Sequence, residues 1–454
     1  MSKNLFDMFG PVPSKLWKQK IQYELKGADY NENLIWESPE GIKVKPFYHI
    51  DEAKDTVKEA NKQHPFLIGQ DIYVRDIEKS IYRAKNTVAR GAEAVRFTIP
   101  TPETNVKMLL ADIDTSIPVY FYLQFYSIDF VKQLDAIAAG SGAVHYVLLD
   151  PIGQLAQEGN WHPGPDNFHV LDAIHKQCKH IHPLTVNGTI YQNAGANMVQ
   201  QIAYTLAQAN EYFNRGYGQK PLVLQVAVGA NYFFEIAKLR ALRLLYALIA
   251  KEYSLPEQCH ILATPTRRNK TIYDYNVNML RTTTECMSAI LGGADTVFNL
   301  PYDALYHKSN EFADRIARNQ LLILKSESYF DKVSNPADGA YYIEELTQQL
   351  AEKALSLFKE IEANGGFLKQ LKEGTIQRKI QESATKEQEL FDSGKEVLLG
   401  TNKYPNKNDR MAGDIELYPF VKANPRKTLI QPIIERRLAE KVEQERLENE
   451  QNTL

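Results

Sequence analysis

Apolar residues in the middle of the chain come in short, nearly continuous runs, and each run gives way to a stretch where they recur every third or fourth residue. The first pattern fits a strand covered on both faces and the second an amphipathic helix. Eight runs qualify: Pro65–Gly69, Ala94–Ile99, Pro118–Phe125, Tyr146–Asp150, His182–Val186, Leu222–Val228, Ile261–Thr264 and Thr296–Leu300. Helical spacing fills the intervals, as in Ile72–Ala89, Phe130–Ala139, Ala194–Phe213, Phe234–Ala250, Tyr273–Leu291 and Phe312–Ser326. Strand and helix in alternation call for parallel strands joined by crossovers. Eight such repeats over about 260 residues match an α/β fold of the (β/α)8 TIM barrel type in number and size. A doubly wound open sheet is the alternative. It is weakened because no glycine-rich loop follows the first strand, and Gly140-Ser-Gly142 precedes a strand and lacks a third glycine.

The flanks differ from the centre. Residues 1–60 form a mixed N-terminal arm with Trp17, too short for a domain and too apolar for a free tail. The barrel is expected over 61–330 and a helical extension packed on it over 331–403. That extension carries a long helix, Tyr342–Ala363, stopped at Gly365-Gly366. Residues 404–454 read as an Asn-, Pro- and Lys-rich linker followed by a terminal helix, Ile433–Leu447. In that helix Ile434, Leu438 and Val442 share one stripe. The third strand makes a further point about the interior. Its two alternating sets are Val119, Phe121, Leu123, Phe125 and Tyr120, Tyr122, Gln124. Bulky side chains therefore enter the barrel whichever set points in, and a filled axis is expected.

Composition narrows the function. The 454 residues are 44% hydrophobic and 24% charged, with 19 Phe and 25 Tyr, which excludes a disordered chain. Lys and Arg number 53 against 56 Asp and Glu, so no positive field exists to gather nucleic acid. No apolar run is long enough to span a bilayer and no secretory pattern opens the chain, so no membrane association and a cytoplasmic location are expected. Cys178, Cys259 and Cys286 are far apart and form no CxxC pair, so they are expected reduced and mostly buried, with neither a disulfide framework nor a zinc site.

Candidate chemistry is sparse. His175, Cys178, His180 and His182 could share a metal by residue type. Their spacing opposes it, because a helix end and an extended segment would point them apart. At the strand ends, where barrels hold their active sites, stand Asp71, Asp150, Asn187, Thr264, Arg267, Arg268 and Asn299. Arg267-Arg268 could grip an anion, but basic residues after a strand are more often solvated. Asp150, before Pro151 and Gly153, reads as a turn residue.

More specific are Asn335-Pro-Ala-Asp-Gly-Ala-Tyr-Tyr-Ile-Glu344, Leu350-Ala-Glu-Lys-Ala-Leu355, Ile361-Glu-Ala-Asn-Gly-Gly366 and Ile380-Gln-Glu-Ser-Ala384. Asp392-Ser-Gly394 and Gly400-Thr-Asn402 follow in step. Within the barrel, Asn278-Met-Leu-Arg-Thr-Thr-Thr-Glu285 with Gly292-Gly293, and Asn187-Gly188 with Gln192 and Ala194-Gly-Ala196, belong to the same set. Together these blocks, spanning residues 187–402, resemble the methylmalonyl-CoA mutases. That family isomerises a branched acyl-CoA to a linear one by radical chemistry on adenosylcobalamin.

The resemblance implies three functional groups in an active chain, and none is in place. The tyrosine expected after the first strand is replaced by Asp71, and the histidine expected in the turn after the fifth by Ile190. The Asp-x-His-x-x-Gly motif for the lower cobalt ligand is missing, since none of the ten histidines has Asp two residues before it. The family's N-terminal CoA-contacting extension is replaced by the 15 residues between Tyr48 and His64. The chain therefore resembles the non-catalytic small subunit of the heterodimeric mutases. No catalytic, cofactor-binding or metal residues are expected in it, and adenosylcobalamin is expected in a large catalytic partner subunit. Small subunits of this kind are expected to carry a further cobalamin-fold domain, without the ligand, past residue 450, and the chain is read as resembling one without that domain. A stand-alone acyl-CoA-binding barrel and a cobalamin-independent isomerase or lyase reusing Asp71, Asn187 and Arg267 are the alternatives.

Overall fold

The computed structural model describes residues 8–52, 65–164, 166–422 and 425–452. The arm contributes α1 (Ser14–Glu24), α2 (Tyr30–Leu34) and an antiparallel pair, β1 (Trp36–Glu37) and β2 (Lys43–Val44). Parallel strands and helices then alternate: β3 (Leu67–Tyr73), α3 (Ile77–Ala89), β4 (Ala94–Ile99), α4 (Val106–Leu110), β5 (Val119–Leu123) and α5 (Ile128–Ala138). Next come β6 (His145–Val147), α6 (Pro151–Glu158), α7 (Asn167–Gln177), β7 (Ile181–His182), β8 (Thr185–Asn187), α8 (Thr189–Asn193) and α9 (Met198–Phe213). The last barrel repeats are β9 (Val223–Val228), α10 (Tyr232–Glu252), β10 (His260–Pro265), α11 (Val277–Leu291), β11 (Thr296–Phe298) and α12 (Glu311–Leu322). After them follow α13 (Tyr341–Ala363), α14 (Phe367–Lys372), α15 (Thr375–Asp392) and α16 (Glu440–Gln451).

The nine strands form one curled parallel sheet in the order β7-β6-β5-β4-β3-β11-β10-β9-β8. Its two edges, β7 and β8, are consecutive halves of the predicted fifth strand, parted at Pro183-Leu184. Proline has no N–H for the ladder, so pairing lapses there. The Thr185 amide still donates to Leu149 O just beyond β6, and the ring of eight strand positions closes.

The outward face of the sheet packs under the helices, with Phe97 and Phe121 stacked at 6.3 Å. The inward face holds a row of cross-strand neighbours in register, Asp71–Arg96–Tyr120–Tyr146–His182. Of the two sets on the third strand, Tyr120 and Tyr122 point in. Tyr120 and Tyr146 stack at 4.7 Å, and the Tyr120 hydroxyl lies 2.8 Å from both His260 Nε2 and Thr296 Oγ1 across the axis. Leu262 and Phe298 are fully buried beside them, and Phe298 fills the space a side chain at Gly69 would need. The axis is thus packed by side chains, as small barrels require.

The arm lies against the outer helices: Trp36 packs edge-on against Phe234 of α10, and Tyr48 against Tyr342 of α13. Trp17 meets Phe47 edge-on and stays 52% exposed. Helix α13 packs on α9 and α10 and ends where Gly365 and Gly366 both take positive φ. The C-terminal region departs from its pattern. The terminal helix starts at Glu440 rather than Ile433, and Ile434 and Val442 are exposed while Glu440, Glu443 and Glu450 are buried. These glutamates accept loop amides: Glu440 from Val421, Glu443 from Ile272, and Glu450 from Met411 and Ala412. A hydrophobic stripe could not satisfy those N–H groups. The stretch expected to be a linker is likewise anchored, with Met411 and Phe420 buried against Ile272, Tyr273 and Tyr306. Among the described residues no helix is long and apolar enough to cross a membrane.

Candidate functional site

The C-terminal ends of the strands, where barrel enzymes place their chemistry, collect most of the residues singled out by sequence. Asp71 lies within β3, two residues before its end, because that strand runs on to Tyr73. Its carboxylate accepts from Arg96 Nε at 2.5 Å and from Nη2 at 2.8 Å. The Arg96 guanidinium sits 4.5 Å from the Phe298 ring centroid. A carboxylate engaged on both oxygens by a guanidinium is held as an ion-pair partner rather than as a free base. Ile190 lies in α8, fully buried in the core, where it offers neither proton nor hydrogen bond.

Asp150 caps α6 and is a buried hub. Its carboxylate accepts from Gln208 at 2.6 and 2.8 Å, from the Tyr212 hydroxyl at 2.6 Å, and from the amides of Asn187 at 2.7 Å and Gly153 at 2.8 Å. Burial raises its pKa above the usual carboxylate value, and these hydrogen bonds pull it back toward the charged form. A Cβ at Gly153 would overlap the Asp150 carboxylate, so the hub needs glycine there. Asn187 accepts from the Thr189 hydroxyl at 2.5 Å, and Asn299 donates to Ala317 O and Gln320. Thr264 is half-buried on β10, in register with Ala227. These contacts hold strands to their neighbours.

Arg267 and Arg268 follow β10 and are treated differently by the fold. Arg268 is buried, donating to Glu387 at 2.5 Å and to Arg436 O at 2.8 Å. Arg267 is exposed and faces Glu435, whose pKa is raised by burial and drawn back by that guanidinium. Glu435 belongs to a strap, residues 426–440, that runs along the strand ends. The strap bonds to Gly159 after α6 through Leu429 and Ile430, to Asn193 of α8 through Arg436, and to Arg268 through Leu438.

The histidine and cysteine cluster does not converge. His182 enters the barrel against Tyr146, His175 lies edge-on to Tyr217, Cys178 is buried and His180 is exposed. Burial lowers the His182 pKa to about 4 and raises that of Cys178 to about 11, the reverse of what metal ligation favours for the thiol. Among the described residues no group of three His, Cys, Asp or Glu could hold a metal ion. All three cysteines are buried, and none forms a disulfide among the described residues.

Two histidines near the C-terminal rim of the strands have partners of their own. His162 nitrogens lie 3.0 Å from Gln124 O and Pro163 O, and His307 is held between Asp303 and Asp414. None of the ten histidines stands in an Asp-x-His-x-x-Gly setting, so none of them matches the lower cobalt ligand that the resemblance calls for.

Two groups escaped the sequence reading. Arg96 is the single charge in the apolar run Ala94–Ile99, and that alone signals an inward partner. Glu435 had no local signal, because only the path of the strap brings it to Arg267.

The family model described as "Methylmalonyl-CoA mutase" matches residues 149–451. The chain is 32% identical to the methylmalonyl-CoA mutase small subunit of Porphyromonas gingivalis, over 91% of this chain and 72% of that one. It is 29% identical to the methylmalonyl-CoA mutase of Rhizobium meliloti, over 87% and 64%, and 27% identical to the human mitochondrial enzyme, over 86% and 60%. The chain thus spans less than two thirds of the length of the latter two.

Proposed function

This chain belongs to the methylmalonyl-CoA mutase family, and on that premise we propose that it is the non-catalytic small subunit of a two-chain mutase. In this reading a larger partner carries adenosylcobalamin and interconverts methylmalonyl-CoA and succinyl-CoA. The present chain serves assembly and stability, and alone it is inactive.

The observation that carries the reading is the state of the family's acid–base positions. Asp71 is locked in a bidentate pair with Arg96, and Ile190 is sealed in the core. The packed axis adds to this. An acyl-CoA threaded through the barrel would need the volume that Tyr120, Tyr146, Leu262 and Phe298 occupy. The arm supplies a candidate contact surface, because Leu16 and Trp17 are exposed on α1 and large aromatic anchors dominate interface energetics.

Co-expression with a larger chain bearing Asp-x-His-x-x-Gly tests the reading. A stable complex is expected that retains cobalamin absorbance and mutase activity through gel filtration, while this chain alone retains neither. Turnover of methylmalonyl-CoA by the isolated chain would refute it.

A further inference from the structure

Between α16 and residues 400–413 lies a cavity of about 790 Å³. Its apolar wall includes the Tyr273 ring, Ala412 and Val442, and Val442 is exposed although it sits on the inner side of this crevice. Polar contacts tie its walls to one another. Glu450 takes the amides of Met411 and Ala412 at 2.9 and 3.1 Å, and Glu443 takes that of Ile272 at 2.8 Å and pairs with Arg437 at 2.5 Å. Arg446 stacks 3.9 Å from the Tyr273 ring centroid and donates to Asn406 O and Asp409 O at 2.8 and 2.6 Å.

Charge around the opening is uneven. The acids are partly compensated: Glu443 pairs with Arg437, Glu450 accepts two loop amides on Oε2 while its Oε1 lies 3.8 Å from Arg446 with no hydrogen bond, and Asp409 accepts the Asp274 amide. At the rim, Lys407 and Arg410 are exposed, and among the described residues neither forms an ion pair. Arg410 donates only to backbone oxygens, those of Lys407 and Asp409.

A preformed apolar cavity of several hundred Å³ with a few convergent polar groups is the usual form of a small-molecule site. We infer that this crevice binds an organic anion with an apolar body, its chain against Tyr273 and Val442 and its carboxylate or phosphate head at Lys407 and Arg410. Arginine suits either head group, since its planar fork matches both.

The test is displacement of 1-anilinonaphthalene-8-sulfonate from the full chain, followed by fluorescence. Decanoate or decyl phosphate should displace one equivalent, and the tighter of the two identifies the head. Decanol should be at least tenfold weaker, and inorganic phosphate should not compete. Val442→Trp fills the crevice and should abolish displacement. Lys407→Glu combined with Arg410→Glu should weaken the anions at least tenfold and leave decanol unchanged. All three side chains are exposed, so unchanged melting temperatures in the variants guard against loss of fold. Equal displacement by decanol and decanoate would overturn the inference, as would wild-type affinity in Val442→Trp.

Discussion

Asp71 on β3 and Arg96 on β4 are cross-strand neighbours in register, and their side chains meet inside the barrel in a bidentate pair at 2.5 and 2.8 Å. Asp71 is 46% exposed at the side chain and Arg96 only 17%, so the arginine depends on the pair more than the aspartate does. Asp71→Asn should destabilise the chain by about 1–2 kcal/mol, less than for a fully buried pair because water reaches Asp71. Arg96→Met should cost less, since Asp71 can be solvated. Urea unfolding of the two variants measures the order, and a costlier Arg96→Met would contradict it.

Asp150 gathers donors from α6, β8 and α9, and its loss strands all of them. Asp150→Ala should cost about 3–5 kcal/mol, while Tyr212→Phe, which removes one hydroxyl, should cost about 1–2 kcal/mol. Chemical denaturation of both variants is the check. Similar small losses would mean the hub is dispensable.

His182 sets a pH dependence. Burial, with help from Lys220, depresses its pKa from 6.5 to about 4, so the unfolded chain binds the extra proton across that interval. Stability from this group is present above pH 6.5 and is lost as pH falls from 6.5 toward 4. Between pH 7 and pH 5, wild type should therefore lose more unfolding free energy than His182→Gln. Equal losses would show that another group dominates.

Ile190→His places an imidazole in a fully buried site with no partner built for it. The variant should be destabilised by about 2–4 kcal/mol. It should gain no mutase activity, because Asp71 and the cobalt ligand remain uncorrected and such constellations are strongly non-additive. Thermal melting and a coupled isomerase assay provide the two readouts.

Trp17 meets Phe47 edge-on and is 52% exposed. Trp17→Ala should weaken association with the proposed larger partner at least tenfold while shifting the melting temperature of the isolated chain only slightly. Unchanged co-elution would remove the arm from the interface.

Much of this molecule was legible in one dimension. The eight apolar runs with helical intervals determined the parallel barrel, because strands covered on both faces must be apolar throughout and their crossovers must be helices. The proposal that Asp71 and Ile190 stand where the family's tyrosine and histidine would be rests on residue identity in the sequence alone. The tertiary structure decided matters that depend on direction and on distant partners. Only the sheet's curvature chose Tyr120 and Tyr122, rather than Phe121, to fill the axis. Pro183 split one strand, an effect local spacing does not weigh. The terminal helix reversed its expected face because loop amides from Ile272, Met411 and Ala412, remote in sequence, needed the carboxylates of Glu443 and Glu450. Periodicity records which residues avoid water, and it holds no record of which distant backbone groups require an acceptor.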